Sequence, residues 1–92
     1  MYKILPYTIK QAKKLNVIVQ PSIKKYKKLD VFSKDGTYIC SVGALGYKDY
    51  PTYIEENGLE YANKRRILYK LRHKNDLNII GSKGFYADKL LW

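Results

Sequence analysis

The chain has 92 residues, with 18 Lys and Arg against 8 Asp and Glu, a formal net charge of +10. That length fits one domain with a modest core, because chains this short bury only about 60–65% of their unfolded surface. A hydrophobic share of 46%, much of it from ten tyrosines, excludes a disordered tail, and the cationic excess points to nucleic acid, an anionic surface or an acidic protein as partner.

The single cysteine, Cys40, excludes an internal disulfide and fits a reducing compartment. The opening Met-Tyr-Lys-Ile-Leu-Pro has no long apolar run and no small-residue cleavage site, so no signal peptide is expected. No stretch approaches the ~20 apolar residues of a membrane span.

In chain order, Thr8-Ile9-Lys10-Gln11 has the capping-box form, with Thr8 as N-cap and Gln11 reaching back. Ile9, Ala12 and Leu15 then share a face, so a helix is expected over 8–15, closed by Asn16. Val17-Ile18-Val19 is β-branched and predicts a short strand that Pro21 stops. Lys24, Lys25, Tyr26, Lys27 and Lys28 place four cations around one aromatic ring. They predict a solvated loop with a tyrosine anchor, or a loop that contacts phosphate while the ring stacks.

Strands follow at 29–33 and 37–42, joined by Ser33-Lys34-Asp35-Gly36 as a hairpin turn with glycine in the left-handed position. Alternation puts Tyr38, Cys40 and Val42 on one face and Thr37, Ile39 and Ser41 on the other. Cys40 is read as a small buried filler, not a nucleophile. Gly43-Ala44-Leu45-Gly46 breaks the strand, but it lacks the Lys-Ser/Thr of a phosphate-binding loop. Tyr47 to Tyr53 gathers three tyrosines around Pro51, and Thr52 with Glu55 gives a second capping-box pattern for one helical turn ending at Asn57-Gly58.

The main helix is expected over 59–75. At 3.6 residues per turn, Tyr61, Arg65, Leu68, Tyr69 and Arg72 share one side, extended by Ile67 and Leu71. Asn63, Arg66, Lys70, His73 and Lys74 point the other way, and the Lys70/Lys74 edge is expected to be wet. Arg65 stands four residues from both Tyr61 and Tyr69, where its guanidinium can lie along their rings. Lys64, Arg65, Arg66, Tyr69, Lys70, Arg72 and Lys74 therefore join the lysine loop as candidate contacts to nucleic acid or an acidic partner. A polar connector is expected over 76–84. Leu90, Leu91 and Trp92 then close an anchor segment, 85–92, because a bulky apolar end must be docked on this domain or on a partner.

Catalysis finds little support. One Cys and one His cannot make a metal site alone, and mid-strand Cys40 has no reason to meet His73 late in a helix. Gly46-Tyr47, Tyr53-Ile54, Arg65 and a glutamate among Glu55, Glu56 and Glu60 echo the Tyr/Arg/Glu set of GIY-YIG nucleases. Neither tripeptide is present, however, the spacing is compressed and the order of Glu and Arg is reversed.

The run Val42-Gly43, Gly46-Tyr47, Asp49 to Tyr53, Tyr61-Ala62, Arg65-Arg66, Tyr69-Lys70, Arg72-His73, Gly81-Ser82 and Tyr86 to Trp92 resembles a group of small basic proteins encoded by large double-stranded DNA viruses of eukaryotes. The likeness covers about residues 28–92 and implies a virion or DNA-associated role, with no established activity to carry over. The expected fold is α+β: a single domain with a small, mainly antiparallel sheet centred on the 29–42 hairpin, the long helix across it and short helices at both ends. The expected function is that of a non-catalytic minor capsid or virion-associated component. Its expected partners are capsid or other virion proteins, with sequence-nonspecific DNA binding as the alternative and a nuclease-like enzyme a distant third. No cofactor, metal or small-molecule substrate is expected, and the expected location is the virion, or the host cytoplasm or nucleus during infection.

Overall fold

The computed structural model describes residues 2–75, 77 and 79–92. Its elements run α1 (Pro6–Leu15), β1 (Val17–Pro21), β2 (Lys27–Ser33), β3 (Tyr38–Ala44), α2 (Tyr50–Asn57), α3 (Leu59–Arg72) and α4 (Lys83–Leu91). The fold is α+β, with an antiparallel sheet in the order β1-β2-β3. The chain forms two compact units, Met1–Tyr47 and Lys48–Trp92, each with its own organisation.

In the first unit, α1 begins two residues earlier than the capping box suggests. Pro6 occupies the first turn, where a missing N–H costs nothing, and the Leu5 carbonyl accepts from the Thr8 N–H at 3.0 Å. Thr8 is therefore inside the helix and fully buried, not its cap. The buried stripe is Leu5, Thr8 and Ala12, and Ile9 is exposed. Asn16 does close α1, in the left-handed conformation at φ 61°. It is also the whole connection to β1, whose residues pair with β2 from Val17 opposite Ser33 to Pro21 opposite Leu29.

The β2–β3 hairpin is longer at both strands than 29–42, because Lys27 pairs opposite Ala44. Its turn is Lys34-Asp35-Gly36, with Gly36 at φ 90° and the Ser33 N–H donating to the Thr37 carbonyl at 2.8 Å. One residue of β3, Ile39, has no partner in the ladder: Val31 faces Cys40, while Phe32 faces Tyr38. This bulge breaks the expected alternation. Cys40 and Val42 stay on the core face with Leu29 and Val31, all buried, but Tyr38 moves to the opposite face beside Phe32 and Ser41.

In the second unit, Asp49 caps α2 by accepting from the Thr52 N–H at 3.1 Å, and Pro51 sits in the first turn. Thr52 is thus the capped residue, not the cap, and the helix has two turns where one was expected. Gly58, at φ 89°, is the single residue between α2 and α3. α3 packs on α2 and stops at Arg72, short of the expected residue 75, with His73 as its C-cap. Ser82 caps α4 by accepting from the Phe85 N–H at 3.1 Å, so the C-terminal helix starts at Lys83 inside the expected connector. Asp76 and Asn78, also in that connector, lie outside the described residues. No described helix is long and apolar enough to cross a membrane.

Candidate acidic-partner interface

The α2–α3 contact is built from rings and guanidiniums. Tyr50 and Tyr53 lie three residues apart on α2 and present one face to α3. Arg66 lies over the Tyr50 ring at 4.6 Å from its centroid, and the Tyr50 hydroxyl donates to Asn63 Oδ1 at 2.8 Å. Arg65 lies over Tyr53 at 5.5 Å, and Tyr61 meets the same ring edge-on at 5.6 Å. Ala62, fully buried, lets the helices approach. Arg65 is therefore not stacked between Tyr61 and Tyr69, because both rings are directed elsewhere. Arg66 does not point away from the packed side as helical spacing alone suggests. The Nε of each arginine is buried with no hydrogen-bond partner among the described residues.

Tyr69 is turned toward the chain's end. Trp92 stacks on it at 4.4 Å with planes 6° apart, and His73 packs at 4.4 Å. Tyr53 touches Trp92 as well, at 6.2 Å. Leu90 and Leu91 are buried. Asp88, also buried, accepts from Lys70 Nζ at 2.6 Å. Lys70 is consequently a half-exposed cation that is already paired within the fold. A buried carboxylate needs a countercharge, and Lys70 supplies it.

What α3 turns outward is apolar as well as basic. Leu68, expected on the same side as Tyr61 and Tyr69, and Ile67 and Leu71, expected to extend that side, are each more than half exposed. The reason is that Tyr50 and Tyr53 draw the packed face toward Ala62, Arg65 and Arg66. Leu68 and Leu71 join Arg65, Arg72 and Trp92 around an open groove of about 450 Å³. Two guanidiniums beside leucines and an indole can hold a carboxylate-bearing apolar segment: the guanidiniums offer paired donors, and the leucines gain from leaving water. Lys64 and Lys74 are exposed beyond it.

The lysine stretch of the first unit divides. Lys28 is buried, with its ammonium over the Tyr2 ring at 5.4 Å, so it is structural where it was expected to meet a partner. Lys24, Lys25 and Tyr26 are exposed in the connector, and Lys27 opens β2 half-buried. Lys24 donates through Nζ to the Tyr38 hydroxyl at 2.8 Å, and Tyr38 lies 2.8 Å from Ser41 Oγ. Ser41 Oγ donates to Asp30 Oδ1 at 2.5 Å, so its one proton is committed and Tyr38 must be the donor to Ser41. Ser22 Oγ donates to the same carboxylate oxygen at 2.6 Å, and the Ile23 N–H donates to Oδ2 at 3.2 Å.

These contacts set the local acidities. The hydrogen bond to Tyr38 raises Lys24, and the same bond from Lys24 lowers Tyr38. Burial pushes Asp30 up, but the bonds from Ser22, Ser41 and Ile23 together outweigh it and hold the carboxyl below its ordinary value. Among the described residues no group of three or more His, Cys, Asp or Glu side chains could hold a metal ion.

Sequence reasoning missed Tyr50 and Tyr53 as arginine platforms and Asp88 as the Lys70 partner. The tyrosines around Pro51 gave a signal, since residues three apart after a cap share a helix face. For Asp88, eighteen positions from Lys70, there was none. Compared with protein-family models, curated proteins and solved structures, the chain matches none of them.

Proposed function

We propose that this chain is a non-catalytic binding protein whose α3 groove takes an acidic segment of a protein partner, and that it serves as a minor structural component of a large DNA-virus particle. One observation carries the reading: Arg65 and Arg72 stand beside exposed Leu68 and Leu71 and the Trp92 ring in one groove. Patches that mix arginine, aromatic and aliphatic groups suit protein interfaces better than phosphate backbones, which reward charge alone. The viral setting rests on the motif likeness over residues 28–92. A photo-crosslinking residue at position 71, carried in purified particles, is expected to capture an acidic stretch of a particle protein. Capture of DNA alone, or recovery of the chain only outside particles, sinks the proposal.

The charge of the first unit favours a second reading. Its nine lysines face two aspartates, a net +7, which suits a polyanion such as DNA. If the cationic clusters at 24–28 and 64–74 both meet phosphate, duplex affinity would fall with salt at a log–log slope of roughly −4 to −6, about −0.9 per phosphate neutralised. A flat salt response removes DNA and leaves protein.

A further inference from the structure

Two connectors meet at one end of the sheet. One is Ser22–Tyr26, between β1 and β2, and the other is Leu45–Tyr47, after β3. The Leu45 N–H donates to the Tyr26 carbonyl at 2.9 Å, and the pairing of Lys27 with Ala44 fixes the strands just below. This tip carries four large apolar side chains in the open: Ile23 is 89% exposed, Tyr47 76%, Tyr26 67% and Leu45 42%. A connector has no need of such groups for folding, and clustered exposure of this kind marks a contact surface.

The backbone supports the same conclusion. Tyr26 has φ 67°, in the left-handed region that a bulky side chain occupies at a cost. Glycine or asparagine would adopt it more easily. The strained position instead holds out an aromatic ring, with the Lys25 ammonium 5.0 Å from its centroid. Lys24 and Lys27 flank the same turn, whose Lys27 N–H donates to the Lys24 carbonyl at 3.2 Å.

We infer that this tip docks peripherally on an anionic phospholipid bilayer. Ile23 and Leu45 enter the acyl boundary, Tyr26 and Tyr47 lie at headgroup depth with their hydroxyls in water, and the lysines meet lipid phosphates. A single nucleic-acid strand is the competing occupant, since it too would use the rings and the lysines. The aliphatic groups decide against it. Ile23, the most exposed of the four, gains nothing from stacking on a base but gains the full transfer term on entering hydrocarbon. No residue of this tip lines the α3 groove, so this inference stands or falls independently of the proposed function.

The test is co-sedimentation of the full chain with phosphatidylcholine vesicles, alone and mixed with phosphatidylserine. Binding is expected on the mixed vesicles only and should weaken with salt. Ile23→Ser is expected to lower the partition coefficient on the order of tenfold. Tyr26→Gly relieves the backbone while removing the ring, so the melting temperature should hold or rise as vesicle binding falls. This separates a docking ring from a structural one. Three results overturn the inference: a wild-type chain that ignores anionic vesicles, variants that bind them as wild type does, or variants that lose a single-stranded oligonucleotide while vesicle binding is unchanged.

Discussion

The two units hold their charges in opposite ways. The first has lysines and no arginine, and its two aspartates are both engaged internally: Asp30 under the sheet's polar face, and Asp35 with Ser33 and Thr37 in the hairpin turn. Most of its lysines stand in water. The second contains all three arginines and all three glutamates, and two of those arginines lie on tyrosine rings. Cation number and cation availability are therefore separate properties. Lysine, a compact and strongly hydrated charge, is left outside by a sheet. Arginine, planar and more weakly hydrated, is drawn into a helix pair.

The sharpest way to probe the second unit is to remove its end. Deleting Leu90, Leu91 and Trp92 takes away two buried leucines and the ring stacked on Tyr69, worth about 5 kcal/mol together. Small domains have little more than that in reserve. Loss of cooperative helical melting in circular dichroism is expected; a midpoint within a few degrees of the parent would show the end to be idle.

Acid should act on the first unit. Asp30 is held below its ordinary value, and Asp35 falls to about 2 through its hydrogen bonds with Ser33 and Thr37. Groups lowered in the folded state contribute fully above the free aspartate value near ~3.9, and that contribution is lost as pH falls through the folded values. The urea midpoint should therefore be steady from neutral pH to about 4 and decline from there toward about 2. Sheet amides should lose exchange protection before the emission of Trp92, the chain's single tryptophan, changes. Simultaneous loss, or a decline that begins near neutral pH, would break the contrast between the units.

The smallest effect concerns the Arg66–Tyr50 contact. Arg66→Lys keeps the charge, loses the planar stack and removes a buried, unpartnered Nε–H, so the net loss should be under about 1 kcal/mol. A double-mutant cycle with Tyr50→Leu should give a coupling of about 0.5 kcal/mol. A coupling indistinguishable from zero would reduce the ring contact to mere proximity.

Much of the fold was legible in the sequence because it is written locally. Asn16, Gly36 and Gly58 mark ends and turns through their own backbone preferences. The α+β class and the β2–β3 hairpin follow from β-branched runs and one glycine turn. The helix starts were legible less well, since two capping boxes competed with prolines: Pro6 set the start of α1, and Asp49 with Pro51 set that of α2. The candidate site was the least legible part. Helical spacing names which residues share a side of α3, but not which side meets a neighbour. Tyr50 and Tyr53 decide that from another element, leaving Leu68 and Leu71 outside and Arg66 inside.

The bulge at Ile39 has a consequence for how the hairpin tolerates changes in length. Ile39 stands between the Val31–Cys40 and Phe32–Tyr38 pairs without a partner of its own. Excising it would close β3 into a regular strand and leave each of those pairs intact. Excising Cys40 instead would bring Ile39 opposite Val31 in its place, and excising Ser41 would bring Cys40 opposite Asp30, so either cut changes which residues are paired. Ile39 is thus a spare unit of length, the point in this hairpin where a one-residue deletion is absorbed as lost twist without a change of partners.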